Sequence, residues 1–185
     1  MAARFRRARG GAISVSFTER ETDLLHAMLT DLDALLASLD DSDLPAGDPL
    51  AAMVGIGTAT APPEDPALAR LFPDGYTDDD AASADFRRYT QVGLRDTRRA
   101  RIAAALATLT ADARGRRVLD AAAAQAWLGV LNDLRLVLGE RLGVSEDIEG
   151  MLVAMPVDDP RRAALGVYDW LGWVQETLVR ALMRA

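Results

Sequence analysis

The sequence predicts a mainly α fold, a helical bundle of four or more helices preceded by a short N-terminal β-hairpin. Two observations predict it. Apolar residues recur every three or four positions over long stretches, as they do on the buried side of a helix. Before them, residues 3–17 read as a short hairpin, in which Gly10 and Gly11 supply the turn and Ile13, Val15 and Phe17 alternate with polar residues on the second arm. A chain of 185 residues is expected to form a single domain, residues 1–185.

Composition excludes several kinds of chemistry. The chain has no Cys, which removes disulfides, thiolate nucleophiles and Cys-based zinc sites. His26 is the one histidine, which excludes a His-rich metal site and makes a His-based catalytic triad an unfavoured interpretation. No apolar run reaches the roughly 18 residues that span a bilayer, and the N-terminus lacks the apolar core of a secretory signal. A cytoplasmic location without membrane contact is therefore expected.

The first helix is predicted to follow the hairpin arm directly. Thr18 and Glu21 have the spacing of a capping box, in which each side chain accepts a backbone N–H. Seven apolar residues then recur at helical spacing: Leu25, Met28, Leu29, Leu32, Leu35, Leu36 and Leu39. Residues 40–66 are rich in Pro and Gly and predict a long loop, functional or mobile, with room for one helical turn at residues 50–54.

Residues 78–113 predict one long helix or two. Phe86, Tyr89 and Gly93 share one side, whereas Ile102, Leu106 and Leu109 lie on nearly the opposite side. The buried side is therefore expected to change, through a kink near Asp96 or because the helix passes between two neighbours. Residues 114–117 end it.

Three further helices are predicted. Residues 119–142 have apolar residues on both sides, which is typical of a central helix. A short helix begins near Ser145. The last helix begins at Asp159 and Pro160, an N-cap and first-turn pair, and ends near Met183.

No constellation for catalysis, a cofactor or a metal is recognisable. The serines lack a nucleophile motif, and Gly55 and Gly57 form no phosphate loop. The aspartates of residues 74–80 lack the EF-hand spacing, so a helix N-cap at Asp78 explains them better than a cation. The sequence thus predicts a protein that is not an enzyme and that holds neither cofactor nor metal.

Polar residues interrupt the most apolar helix at Asn132, Asp133 and Arg135. One interpretation is structural, with Arg135 paired to an acid among residues 78–85, because a buried arginine must be paired. The other is a recognition surface for a partner helix, formed with Leu128 and Leu136.

Arginines are concentrated in residues 87–117, whereas residues 18–86 are strongly acidic. One side of the predicted helix would display Arg87, Arg88, Arg95, Arg98 and Arg99. Internal pairing with the acidic stretch, phosphate binding and an acidic partner are all compatible with this pattern. Direct DNA binding has little support, because the net charge is −7 and no readable recognition helix is present.

The last helix has more apolar surface than one buried side requires. Leu165, Val179 and Met183 form a second side, and Trp173 projects in a third direction. Such surface is typical of an interface, so a homodimer through this helix is expected. The alternative is that the hairpin and the 40–66 loop cover it within one chain.

The chain resembles an actinobacterial family of oxidative-stress transcriptional regulators (AosR-like), formerly a family of unknown function. The resemblance covers nearly the whole length. It is carried by TERETDLLHAML, by LARLFPDGYTDDDAASADFRRYT and most specifically by WLGVLNDLRLVLGERLGV. It implies a non-enzymatic protein that acts on transcription through a protein partner in the transcription apparatus. This chain departs from a thiol-based mechanism, because it has no cysteine. The alternative is a homodimeric interaction or assembly module without a direct link to transcription.

Overall fold

The fold was analysed in a computed structural model that describes residues 3–39, 56–109, 116–145 and 148–183. These residues form three strands and six helices: β1 (Arg6–Arg7), β2 (Ile13–Ser16), α1 (Glu19–Ala37), α2 (Pro66–Leu71), α3 (Asp80–Ala107), β3 (Arg116–Leu119), α4 (Ala121–Leu142), α5 (Ile148–Ala154) and α6 (Arg161–Met183). The predicted mainly α fold with an N-terminal hairpin is confirmed.

The hairpin is extended by a strand that the sequence pattern did not predict. β1 and β2 pair antiparallel through a turn in which Gly10 and Gly11 have positive φ angles of 75° and 82°. β3 then pairs antiparallel with β2, so the sheet order is β1-β2-β3. The predicted helix over residues 119–142 was wrong at its start: it begins after Asp120, whose side chain accepts the Ala123 N–H at 2.7 Å. β2 and β3 are about a hundred residues apart in the sequence, so no local sequence pattern indicates that they pair.

The start of α1 matches the prediction atom for atom. The Thr18 hydroxyl accepts the Glu21 N–H at 3.2 Å, and the Glu21 carboxylate accepts the Thr18 N–H at 2.7 Å. The same carboxylate accepts the Ala3 N–H at 3.2 Å, which ties the N-terminal arm to α1. Leu25, Leu29, Leu32 and Leu36 form the buried side of the helix.

Helix α3 is one continuous element, and it does not change its buried side. Its N-cap is Asp79, which accepts the Ala82 N–H at 2.8 Å, rather than the predicted Asp78. Over residues 83–95 its buried residues are polar except for Val92: they are Ser83, Arg87, Gln91 and Arg95. Phe86 and Tyr89 face solvent. The predicted change of buried side, through a kink near Asp96 or by passage between two neighbours, followed from the assumption that the apolar side is always the buried one. This assumption was wrong here.

Helix α4 lies at the centre of the bundle, as predicted. It contacts α2, α3 and α6 most extensively. Trp127 is fully buried, packs against Phe5 and Phe17 and donates its indole N–H to Thr108 Oγ1 at 2.7 Å. The helix ends at Gly143 in the left-handed conformation, with φ 63°.

The long loop predicted for residues 40–66 is described only from residue 56, and the turn predicted at residues 50–54 lies outside the described residues. The loop ends where α2 begins, a helix that was not predicted. Asp65 caps it by accepting the Ala67 N–H at 2.7 Å, and Pro66 occupies its first turn. The predicted helices near Ser145 and after Asp159 are present as α5 and α6.

Candidate functional site

The three polar residues of α4 point in different directions. Asn132 is exposed, whereas Asp133 is only 1% exposed and forms an ion pair with Arg98 of α3. Leu128 and Leu136 are half-buried and packed against the core. Residues expected to act as one recognition surface are therefore divided between the interior and the surface, because α4 has neighbours on several sides.

Arg135 has no acidic partner among residues 78–85, so the predicted pairing was wrong. Its guanidinium donates to Gln175 Oε1 at 2.8 Å and lies 5.2 Å from the centre of the Tyr168 ring, both on α6. Helices α4 and α6 approach closely here: a Cβ on Gly172 would lie 3.5 Å from Arg135 Nε, and one on Gly139 would lie 3.2 Å from the Tyr168 ring. Arg135 thus joins the two helices through neutral and aromatic partners.

The buried arginines of α3 hold the end of α2. Arg98 donates to the Leu71 carbonyl at 2.8 Å, and Arg87 donates to the Phe72 carbonyl at 3.1 Å and pairs with Asp74. These carbonyls are at the C-terminal end of α2, where the helix itself supplies no donors. The segments that carry the family resemblance, residues 68–90 and 127–144, therefore meet at this arginine network.

The predicted basic side of α3 is largely turned inward. Arg95 is 8% exposed and donates to the Leu39 carbonyl at 2.9 Å. Arg99 forms a bidentate ion pair with Asp33 of α1, in which Nε lies 2.8 Å from Oδ1 and Nη2 lies 3.1 Å from Oδ2. The hydrogen bonds from Arg99 outweigh partial burial and lower the pKa of the Asp33 carboxyl. Arg88 is exposed and lies 5.8 Å from the centre of the Tyr89 ring. The internal pairing considered for the acidic and basic stretches is thus present at several positions.

The last helix presents less apolar surface than its sequence pattern predicts. Leu165 is 3% exposed and Val179 is half-buried, so the predicted second side is partly covered. The hairpin arm lies on α6, where the Phe5 N–H donates to Thr177 Oγ1 at 3.1 Å. Trp173 is 37% exposed and Met183 is 81% exposed. Thr177 lies on nearly the opposite side of α6 from Val179 and Met183. The homodimer and the alternative, in which the hairpin and the 40–66 loop cover the second side, both stay predictions.

Between the hairpin arm and α6 lies a groove of about 600 Å³, which we call the basic groove; it is lined by Arg4, Phe5, Arg6, Arg7, Trp173, Thr177, Arg180 and Ala181. Four of these residues are arginines, and the one acid paired with them in the described residues is Glu176, which contacts Arg180. The sequence pattern pointed to Trp173 but not to these arginines, because folding brings together residues about 170 positions apart. The groove is suited to a carboxylate-bearing or other anionic group.

Neither a metal site nor a membrane span is found in the described parts of the chain. Within them, no group of three or more His, Cys, Asp or Glu side chains could hold a metal ion. Across the same residues, no helix has the length and apolarity needed to cross a bilayer. The aspartates of residues 74–80 have structural partners instead: Asp74 pairs with Arg87, and Asp79 caps α3.

These features define a helical protein with a small sheet, an internal arginine network and a basic surface groove. The chain belongs to the family described as "Domain of unknown function (DUF2017)", which matches residues 1–182. The "Putative oxidative stress regulator AosR" of Mycobacterium leprae is 34% identical over 165 residues, which cover 81% of this chain and 74% of that protein. The "Oxidative stress regulator AosR" of Mycobacterium tuberculosis is 36% identical over 164 residues, with the same shares covered. The predicted family resemblance is confirmed. No solved structure matches the chain.

Proposed function

We infer that this protein is a non-enzymatic regulator of the oxidative stress response that works as a homodimer through protein–protein contacts. This proposal is supported mainly by the similarity, over most of the chain, to relatives that are named oxidative stress regulators. A composition without cysteine supports a role that does not depend on a thiol switch in this chain. Its redox signal would then come from a partner.

The basic groove is the surface best suited to that partner. Trp173 offers a large, partly exposed aromatic side chain, and tryptophan and arginine are enriched where binding energy is concentrated. Arg4, Arg6, Arg7 and Arg180 attract a surface that carries carboxylates. A net charge of −7 opposes the approach of duplex DNA, which carries negative charge along its whole length. A protein of the transcription apparatus whose carboxylates are confined to the contact surface fits the basic groove better.

Affinity purification of the tagged chain from its native host, with and without peroxide, tests this function. We expect a component of the transcription apparatus to copurify with the unaltered chain and to be lost with Trp173→Ala or Arg180→Glu. Arg161→Glu is the matched control, because Arg161 is on the same helix, is similarly exposed at 58% against 62%, and also has an acidic neighbour.

Loss of the partner with Arg161→Glu as well would indicate a general charge effect and would contradict the assignment to the groove. Recovery of copies of this chain alone, under both conditions, would support the second hypothesis, an assembly module without a link to transcription. Binding of duplex DNA by the purified chain, lost with Arg180→Glu, would instead make the groove a nucleic-acid site.

A further inference from the structure

Between Phe86 and Arg95, helix α3 buries two of its three arginines and exposes its aromatic side chains. Arg87 and Arg95 are 3% and 8% exposed, whereas Phe86 and Tyr89 are 40% and 58% exposed. A helix on the surface of a soluble protein normally has the reverse arrangement. The buried arginines have structural partners, described above. Within the described part of the chain, Tyr89 stays largely exposed, and Phe86 is covered only in part, by Gly75 and Tyr76.

The exposed aromatic residues belong to an uncharged stripe that runs along α3. The residues of this outer stripe are three or four positions apart and share one side of the helix: Ala82, Phe86, Tyr89, Gly93, Thr97, Ala100 and Ala104. Six of the seven are exposed and Ala82 is half-buried. The stripe extends for about 33 Å at the helical rise. Its N-terminal half is aromatic, and its C-terminal half has small side chains.

The aromatic half is held in position within the chain. The rings of Tyr76 and Phe86 contact edge to face, with centroids 6.4 Å apart. Phe86 also lies against Gly75, where a Cβ would come within 2.7 Å of the ring. A fixed aromatic group loses little conformational freedom when a partner binds, which favours association.

Gly93 lies at the middle of the stripe, and nothing in the part of the chain that the structure describes requires a glycine there. A Cβ at this position would meet no atom within 4 Å, and the φ angle of Gly93 is not positive. Glycine is less favourable than alanine in an exposed helix interior. Its absent side chain would let another backbone approach closely at this point.

We propose that the outer stripe of α3 pairs antiparallel with the same stripe of a second copy, with Gly93 at the two-fold axis. This rests on the homodimer of the proposed function and names its interface. Counting outward from Gly93, the antiparallel arrangement sets Phe86 opposite Ala100 of the second copy. Tyr89 then lies opposite Thr97, and Gly93 opposite Gly93. Each aromatic residue meets a small one, so one stripe complements itself, as a two-fold interface requires.

The sizes of the side chains also select the orientation. A parallel pair with Gly93 against Gly93 would set aromatic against aromatic and small against small. Only the antiparallel pair places each aromatic residue against a small one, so the pattern selects a second copy in the antiparallel orientation.

Because the chain has no cysteine, a single introduced cysteine tests the pairing without background. In the full chain, Gly93→Cys places two thiols at the proposed axis, where two helices in close contact meet the geometry of a disulfide. We expect mild oxidation to yield a covalent dimer that dithiothreitol separates. Gly166→Cys is the matched control: Gly166 is also exposed, within a helix and free of atoms within 4 Å of a Cβ, and it lies on the Trp173 side of α6.

A second measurement uses sedimentation equilibrium. Tyr89→Glu should weaken self-association by about tenfold or more, as expected for loss of a central aromatic contact, and should leave thermal unfolding of the monomer unchanged. Val157→Glu, at a position that is 91% exposed and away from the stripe, should leave association unchanged.

The possible outcomes distinguish failure of the proposed stripe interface from failure of the homodimer. If the unaltered chain remains a 19.9 kDa species at high micromolar concentration, both the homodimer and the stripe pairing are overturned. A dimer that is linked through Gly166→Cys and not through Gly93→Cys retains the homodimer and overturns the stripe. Unfolding of the monomer by Tyr89→Glu would assign the stripe to the fold of one chain and would likewise overturn the proposal.

Discussion

Arg98 of α3 and Asp133 of α4 form an ion pair whose side chains are only 17% and 2% exposed. The same arginine donates to the Leu71 carbonyl at 2.8 Å and lies 5.5 Å from the centre of the Phe72 ring. One guanidinium thus connects α2, α3 and α4. All three helices carry parts of the segments on which the family resemblance depends.

The first prediction concerns Asp133. Asp133→Asn should lower the free energy of unfolding by about 3–5 kcal/mol, because it leaves the largely buried Arg98 without its counter-charge. Chemical denaturation measures this change. Asp33→Asn is the control, since the Arg99–Asp33 pair is 44% and 36% exposed and should contribute about 1 kcal/mol or less. Equal effects of the two substitutions would contradict the buried role of Asp133.

The second prediction concerns Arg135, which has neutral partners. Arg135→Met should cost only about 1 kcal/mol, the net value of a hydrogen bond to an uncharged group. For a chain of this length the melting temperature should fall by about 2–4 °C. Asn132→Ala, at the exposed neighbouring position, should change stability by no more than about 0.5 kcal/mol. A loss for Arg135→Met as large as that for Asp133→Asn would imply an acidic partner after all.

The third prediction concerns pH. Burial acts to raise the pKa of the Glu21 carboxyl, but hydrogen bonds from Thr18, Ala3 and Trp170 outweigh it and hold that pKa below the ordinary 4.5. A lowered folded-state pKa stabilises the fold above the unfolded-state value, and this contribution is lost as pH falls through the folded-state pKa. Glu21→Gln should therefore flatten the acid side of the stability profile, measured by denaturation between about pH 6 and pH 3. An unchanged profile would contradict the role of the Glu21 carboxylate in holding the N-terminal arm to the start of α1.

The fourth prediction concerns peroxide. Without cysteine, treatment should produce no change that dithiothreitol reverses, and oxidation should occur at methionine instead. Met183 is 81% exposed and Met155 is 7% exposed, so Met183 should form the sulfoxide first. Peptide mass spectrometry over a time course measures the order. Oxidation of Met155 at an equal rate would mean that the region around α5 opens readily.

The sequence by itself determined the elements whose signals are local. The capping box of Thr18 and Glu21, the turn at Gly10 and Gly11, the central helix and the start of the last helix each depend on residues a few positions apart. Hydrogen bonds at helix ends and helical periodicity act over that same range, which explains why these elements were predictable. The absence of cysteine and the family resemblance likewise required no coordinates.

Only the tertiary structure decided where the arginines go. From the sequence, the aromatic side of α3 is expected to face the core and the arginines to face solvent. The structure has the reverse for Arg87 and Arg98, because the carbonyls at the end of α2 and the carboxylate of Asp133 accept hydrogen bonds from them. Those partners lie 15 to 35 residues away along the chain. The basic groove and β3 depend on still longer separations. A charged side chain is buried only where distant groups complete its hydrogen bonds, and helical periodicity carries no information about such groups.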